Sequence, residues 1–190
     1  MLNIMIVDDE KFILKALQRT LSSLSYGNEM ATIHTFECAE EALEVLEYIE
    51  FQIVISDYHM PKMDGVDFLK QVKEYYPNAA RIVLSGNSNT EGLMRAINEA
   101  EIYRFITKPW NDADLLTTLL KTLEHRDALL QNQVLNQQVQ SQMMTIKVQQ
   151  LELERLERET PGITRVDRDE DGRIILEDSD DLSLGKVDLN

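Results

Sequence analysis

Three short apolar runs in this chain end abruptly in charge. Ile4-Met5-Ile6-Val7 stops at Asp8-Asp9, Ile53-Val54-Ile55-Ser56 stops at Asp57, and Phe105-Ile106-Thr107 stops at Lys108. Runs of this length, continuous rather than alternating, predict strands covered on both faces, as in a parallel sheet. Together with two further runs they predict strands near 3–7, 31–36, 53–56, 81–85 and 103–106. The segments between them have helical periodicity: Leu14, Leu17, Leu21 and Leu24 recur at steps of three and four, the spacing of a helix that lays one face on a sheet. Strand and helix alternate, which predicts an α/β fold, a doubly wound five-stranded parallel sheet in three layers, over residues 1–123. In such a sheet ligands bind outside the carboxyl ends of the strands. Three strand tips then deliver three carboxylates and an ammonium to one edge.

A last helix is predicted after Lys108-Pro109-Trp110, with Asn111 as N-cap and Asp114 near the positive end of the dipole. No Gly or Pro follows until Pro161, so the pattern predicts one helix of nearly 50 residues, on the order of 70 Å long. Its distal part, 124–159, carries Leu130, Val134, Met144, Val148 and Leu151 at coiled-coil spacing, interrupted by Asp127, Gln137 and Ser141. A competing stripe passes through Leu135, Val139, Ile146, Leu153 and Leu156. An apolar stripe of this length calls for a partner, which makes a homodimer through this helix the expectation, with register and orientation left open. Residues 160–190 read as a short acidic hairpin-like tail, partly disordered, with Asp171-Gly172 as its turn. Asp167, Asp169 and Asp171 also match the start of a calcium loop, but Asp178 stands where a bidentate Glu belongs, so calcium is the weaker reading.

Composition narrows the function classes. The 190 residues are 43% hydrophobic, enough for one ordinary domain and an extension. The net charge of −15, from 34 acidic and 19 basic residues, repels nucleic-acid backbones and anionic membranes alike, so neither is an expected partner. No apolar stretch reaches the roughly 20 residues of a membrane span. Cys38 is the lone cysteine and has no partner for an internal disulfide. A cytoplasmic location is the expectation.

Asp8, Asp9 and Asp57 at one edge repel each other unless a cation neutralises them. Carboxylate oxygens suit a hard divalent ion, Mg²⁺ or Mn²⁺, which keeps several waters and often takes one or two carboxylates plus phosphate oxygens. Lys108 adds a second fixed cation, and Ser85 a hydroxyl at the end of Ile82-Val83-Leu84. In outline this is a site for phosphoryl transfer, where developing charge must be spread over fixed cations.

Over residues 2–122 these features resemble the receiver domain of two-component response regulators. The likeness rests on Asp8-Asp9 followed by Glu10; on Asp57 with Pro61 four and Gly65 eight positions later; on Ser85-Gly86; and on Lys108-Pro109 with Phe105 three before the lysine. The resemblance implies a flavodoxin-like strand order 2-1-3-4-5. It implies Asp57 as acceptor of a phosphoryl group from a histidine kinase or phosphotransfer protein. Asp9, Asp57 and the backbone carbonyl of His59 would bind Mg²⁺ directly and Asp8 mainly through water, with Lys108 on the acyl phosphate. It further implies a switch in which Ser85 is drawn to the phosphoryl group and Phe105 turns inward. The signal would then arrive on the fourth helix, fifth strand and fifth helix. The side chains of His59 and Asn87 are candidates for tuning the lifetime of the phosphorylated state.

Two other readings use the same residues. An Asp-nucleophile phosphatase of the haloacid-dehalogenase kind needs a second carboxylate two positions after the nucleophile, where this chain has His59. The expectation is therefore no enzyme beyond self-phosphorylation and self-dephosphorylation at Asp57. A constitutive coiled-coil scaffold with an idle receiver-like domain is disfavoured by the completeness of the site. Lys108-Pro109-Trp110 looks like receivers attached to cyclic-dinucleotide phosphodiesterase or transcription-activator outputs, yet 111–190 carries no adjacent His-Asp pair, no Walker motif and no convincing helix-turn-helix. The downstream partner is a protein left unidentified by the sequence.

Overall fold

The apolar runs are strands; those of β1, β4 and β5 are buried on both sides, while the runs at the sheet's flanks, near 31–36 and 103–106, are only partly buried. A computed structural model describes residues 1–86 and 99–161. The strands are β1 (Leu2–Val7), β2 (Ser25–Tyr26), β3 (Glu29–Phe36), β4 (Ile53–Asp57), β5 (Ala80–Ser85) and β6 (Arg104–Thr107); the helices are α1 (Lys11–Leu21), α2 (Ala39–Val45), α3 (Gly65–Tyr75) and α4 (Asp112–Glu159). The sheet order is β2-β3-β1-β4-β5-β6, and every pairing except β2 with β3 is parallel. Without β2 this is the expected 2-1-3-4-5 arrangement.

β2 is the departure: the sheet has six strands, not five. Ser25 and Tyr26 pair antiparallel with Met30 and Glu29 across Gly27-Asn28, and Gly27 sits at φ 59, a left-handed conformation that suits glycine. Gly-Asn between two short extended segments is a hairpin signal. The strand is only two residues long, too short for its own hydrophobic pattern to announce it.

Alternation along each strand divides the interior. Ile4 and Ile6 of β1, with Ile53, Ile55, Ile82 and Leu84, face α1 and the first turns of α4, where Leu17, Leu119 and Leu123 close the layer. Met5, Val7, Val54 and Val83 face the other way, onto Ala42, Phe68, Leu69 and Val72 of α2 and α3. Both layers are apolar, which is why these inward-facing positions of β1, β4 and β5 are all aliphatic or Met. α4 begins as its sequence predicts: Asn111 Oδ1 accepts from the amides of Ala113 and Asp114 at 2.9 and 3.2 Å. Asp112 Oδ1 accepts from Thr20 of α1, tying that helix start to the domain. The residue contacts fall into two units, Met1–Val134 and Leu135–Asn190. Within the second, the described part is the helix to Glu159. The expected hairpin-like tail, the calcium-loop alternative and Asn87 lie outside the described residues.

His34 on β3 sets its ring edge-on to Phe51, and its buried Nε2 has no hydrogen-bond partner. Burial holds its pKa below the usual 6.5. As pH falls through 6.5 the unfolded chain takes up a proton that the folded chain resists, so folding stability decreases with acidification. Replacing His34 with Phe is expected to flatten this dependence between about pH 7 and about pH 5. Urea midpoints across that range measure it, and an unchanged slope would contradict the assignment.

Candidate functional site

Three parallel strands end at the same level, and their polar tips meet. Asp8 follows β1 and is fully buried, Asp57 ends β4 and is 6% exposed, and Lys108 follows β6. The Lys108 ammonium donates to Asp8 Oδ2 at 2.6 Å, lies 2.6 Å from Asp57 Oδ1, and is 3.7 Å from Glu10 Oε1. One cation therefore bridges carboxylates carried by two other strands.

Backbone groups fix the remaining oxygens. The amide of His59 donates to Asp57 Oδ2 at 2.9 Å, and the amide of Glu10 donates to Asp8 Oδ1 at 2.9 Å. Ser85 ends β5 one step beyond Leu84, the register partner of Asp57; it is buried, and its carbonyl accepts from the amide of Lys108 at 2.8 Å. The strand that carries the ammonium is thus pinned to the strand that carries the hydroxyl. Phe105 is half-buried on β6 and packs against the α2/α3 layer. Asp9 is exposed beside Asp8, and the exposed His59 ring stands edge-on to Tyr58 at 4.6 Å.

Three carboxylates, Asp8, Glu10 and Asp57, lie within 4 Å of one ammonium, and Asp9 follows Asp8 in the chain. Burial raises the pKa of Asp8, a shift that Lys108 opposes and the Asp57 charge reinforces. For Lys108 burial acts downward, but its bonds to Asp57 and Asp8 outweigh it, and the pKa is raised. The site is short of positive charge. Its donors are hard oxygens, and Asp8 and Asp57 already lie within one ammonium's reach of each other. No group of three His, Cys, Asp or Glu ligands stands ready among the described residues. Mg²⁺ does not require one, because it keeps its waters and needs one or two carboxylates. The residues therefore fit the ion expected from the sequence.

Gly65 has a role that its place in the motif did not explain. A Cβ there would stand 1.9 Å from the carbonyl oxygen of Asp57 and 2.9 Å from Ser56 Oγ. Its own amide donates to Tyr58 O at 3.0 Å, so the start of α3 is pressed against the end of β4. Asp64 caps that helix through Asp67 N. Glu10, as a further anion near Lys108, was also missed; its place beside the acidic pair was the available signal. A cleft of about 390 Å³, lined by Pro77, Ala80, Arg81, Tyr103, His125 and Arg126 among others, lies at the amino ends of β5 and β6, away from these groups.

The model of the response regulator receiver domain matches residues 4–120. Among curated proteins, the hydrogenase transcriptional regulatory protein HoxA of Cupriavidus necator is 36% identical over 121 residues, which is 64% of this chain and 24% of that protein. The chain thus spans about a quarter of the curated relatives it matches. Among solved structures, the signal receiver domain of an HD domain-containing protein from Pseudomonas fluorescens is 39% identical at a TM-score of 0.62, covering 67% of this chain and 98% of that one. The BeF3-activated DrrB receiver domain is 29% identical at a TM-score of 0.57, covering 65% and 98%. No described helix is long and apolar enough to cross a membrane.

Gly65→Ala is expected to destabilise the fold by about 1–3 kcal/mol, because the added methyl must displace the Asp57 backbone rather than a flexible side chain. Urea unfolding measures the loss. A variant as stable as the parent would show that the contact has room to relax.

Proposed function

We infer the function of this chain from one premise: it belongs to the response regulator receiver domain family. On that premise Asp57 accepts a phosphoryl group from a histidine kinase or phosphotransfer protein. The observation that carries the assignment is the Lys108 ammonium at 2.6 Å from the carboxylates of both Asp8 and Asp57.

Asp57 Oδ2 is already oriented by the His59 amide. In the transfer one Asp57 oxygen forms the new bond to phosphorus as the phosphorus–nitrogen bond of the donor breaks, and the departing histidine keeps the electron pair. The incoming group brings about two negative charges, and Lys108 then exchanges part of its contact with Asp57 for the phosphoryl oxygens. A bound Mg²⁺ supplies further positive charge to those oxygens. Asp8, Asp9, Asp57 and the His59 carbonyl are the groups that would hold it, Asp8 mainly through water. Buried Asp8 also holds Lys108 in place.

The phosphoryl oxygens give Ser85 and Lys108 a new common partner. Their shared backbone bond, Lys108 N to Ser85 O, makes β5 and β6 respond together. Phe105 lies on the strand between them and the start of α4, half-buried and free of any polar bond that would oppose its moving inward. His59 and Asn87 remain the side chains assigned to phosphoryl lifetime. α4 is the output element in this reading: it assembles as a dimeric coiled coil that presents the receiver state to a protein partner. The only chemistry is on the chain itself, phosphorylation and dephosphorylation at Asp57.

Acetyl phosphate with Mg²⁺ is expected to label the protein on Asp57, and beryllium fluoride with Mg²⁺ to raise its melting temperature. Asp57→Ala should abolish both. Lys108→Met should still bind Mg²⁺ but lose phosphoryl accumulation by about tenfold or more, the scale of one fixed charge at a phosphoryl site. Labelled Asp57→Ala protein would end the assignment.

A further inference from the structure

The distal part of α4 carries two apolar stripes, and they are not equivalent. At about 100° per residue the stripe of Leu130, Val134, Met144, Val148 and Leu151 lies roughly 150° from the stripe of Leu135, Val139, Ile146, Leu153 and Leu156. All ten are at least partly exposed on this helix. A two-stranded coil buries only one of them.

Charge separates the two. Extended by heptads, the first stripe places Asp127 and Arg155 at a positions and Arg158 at a d position. Arg155 is turned to its own helix, donating to Glu159 at 2.9 Å and lying 3.8 Å from Glu152, and Asp127 pairs with Arg126 at 3.3 Å. Using this seam along its full length buries three charges or breaks those pairs. The second stripe buries none. Its a positions are Asn132, Val139, Ile146 and Leu153, and its d positions are Leu135, Gln142, Gln149 and Leu156. Two β-branched residues at a and Leu at two d positions favour two parallel strands, and Asn at a is a polar layer that specifies register.

The flanks of this seam point to its occupant. Different partner helices are selected by charges at the e and g positions. Here those positions hold Gln131, Gln138 and Thr145 on one side and Asn136, Met143 and Gln150 on the other. Between Ala128 and Leu151 the only charged residue is Lys147. Nothing there selects an oppositely charged helix, while two copies of a chain with net charge −15 meet along its least charged stretch. Charge returns only at Glu152 and Glu157, and Glu152 lies beside Arg155 of its own helix. The layers also match best with themselves. In a parallel in-register pair, Asn132, Gln142 and Gln149 each meet their own copy, amide against amide, and each apolar residue meets an apolar one. In the antiparallel pairing of the same seam, Gln142 faces Val139 in two successive layers.

Resting on the dimeric reading given above, we propose that the occupant of this seam is a second copy of the chain, parallel and in register, with the Val139/Ile146/Leu153 face inside and the Val134/Val148 face left outside. The full-length chain with Cys38→Ser tests this when it carries one new cysteine at a time, in whichever form, untreated or beryllofluoride-treated, is dimeric by sedimentation. Ile146→Cys and Leu153→Cys should each oxidise to a covalent dimer, at least about tenfold faster than Val148→Cys, because only facing thiols meet disulfide geometry. A dimer in which Val148→Cys links and Ile146→Cys does not would overturn the seam but leave the dimer. A dimer that links only when Leu135→Cys and Ile146→Cys chains are mixed would overturn the orientation. A tetramer would overturn the two-stranded arrangement. Protein that stays monomeric in both forms would remove the dimeric reading itself.

Discussion

The structure depends on one ammonium between two buried carboxylates. Asp8 and Asp57 sit at the tips of adjacent parallel strands, and without Lys108 they would be like charges in a site largely closed to water. Removing one member of such a group leaves an uncompensated charge, which costs far more than the intact group contributes. The arrangement is therefore first a structural constraint. It requires β1, β4 and β6 to end at the same level, which parallel pairing through β5 provides. It requires Lys108 to leave β6 at a fixed height, which its amide bond to Ser85 provides. It also requires Asp57 to hold still, which the His59 amide and the pressure of Gly65 provide.

Much of this could be read in the sequence because strand tips are where apolar pattern and chemistry meet. An apolar run must end where the sheet stops being covered, and a charge at that point is conspicuous. β1, β4, β5 and β6 were legible for that reason, and so were Asp8, Asp57, Ser85 and Lys108 at their ends. The N-cap at Asn111 was legible because capping is local chemistry. Other features were hidden because they depend on distance in space. Gly65 looks like a helix start in sequence, and only the fold shows the Asp57 carbonyl where its side chain would be. Arg81 reads as a polar interruption of β5, yet it is buried and donates to the carbonyls of Pro77, Ala79 and Ala100. Its partners lie outside the strand, at positions no periodicity announces. β2 was hidden for want of length.

Burial divides the polar groups at this edge. Asp9 and His59 are exposed, while Asp8 and Ser85 are buried. The cleft at the opposite strand ends is lined by Glu101, Arg81 and Arg126 but brings no pair of carboxylates to a shared ammonium, so concavity alone does not mark the charged edge.

Under the proposed function, the composition of the seam on α4 follows from how little free energy a phosphoryl switch has to spend. Coupling between two sites in a domain is typically about 1–3 kcal/mol. A coil with Leu, Ile and Val in every layer would be far too stable for a bias of that size to change its population. Asn132, Gln142 and Gln149 each replace an apolar layer by one that contributes less, and they lower the stability of the pair while keeping its register. The start of the same helix is tied to the domain by Asn111, by Thr20 through Asp112, and by four buried residues, Leu115, Leu119, Thr122 and Leu123. On that proposal, a helix held firmly near Lys108 and weakly paired beyond it is the arrangement in which a small change at the site would have the largest effect on assembly.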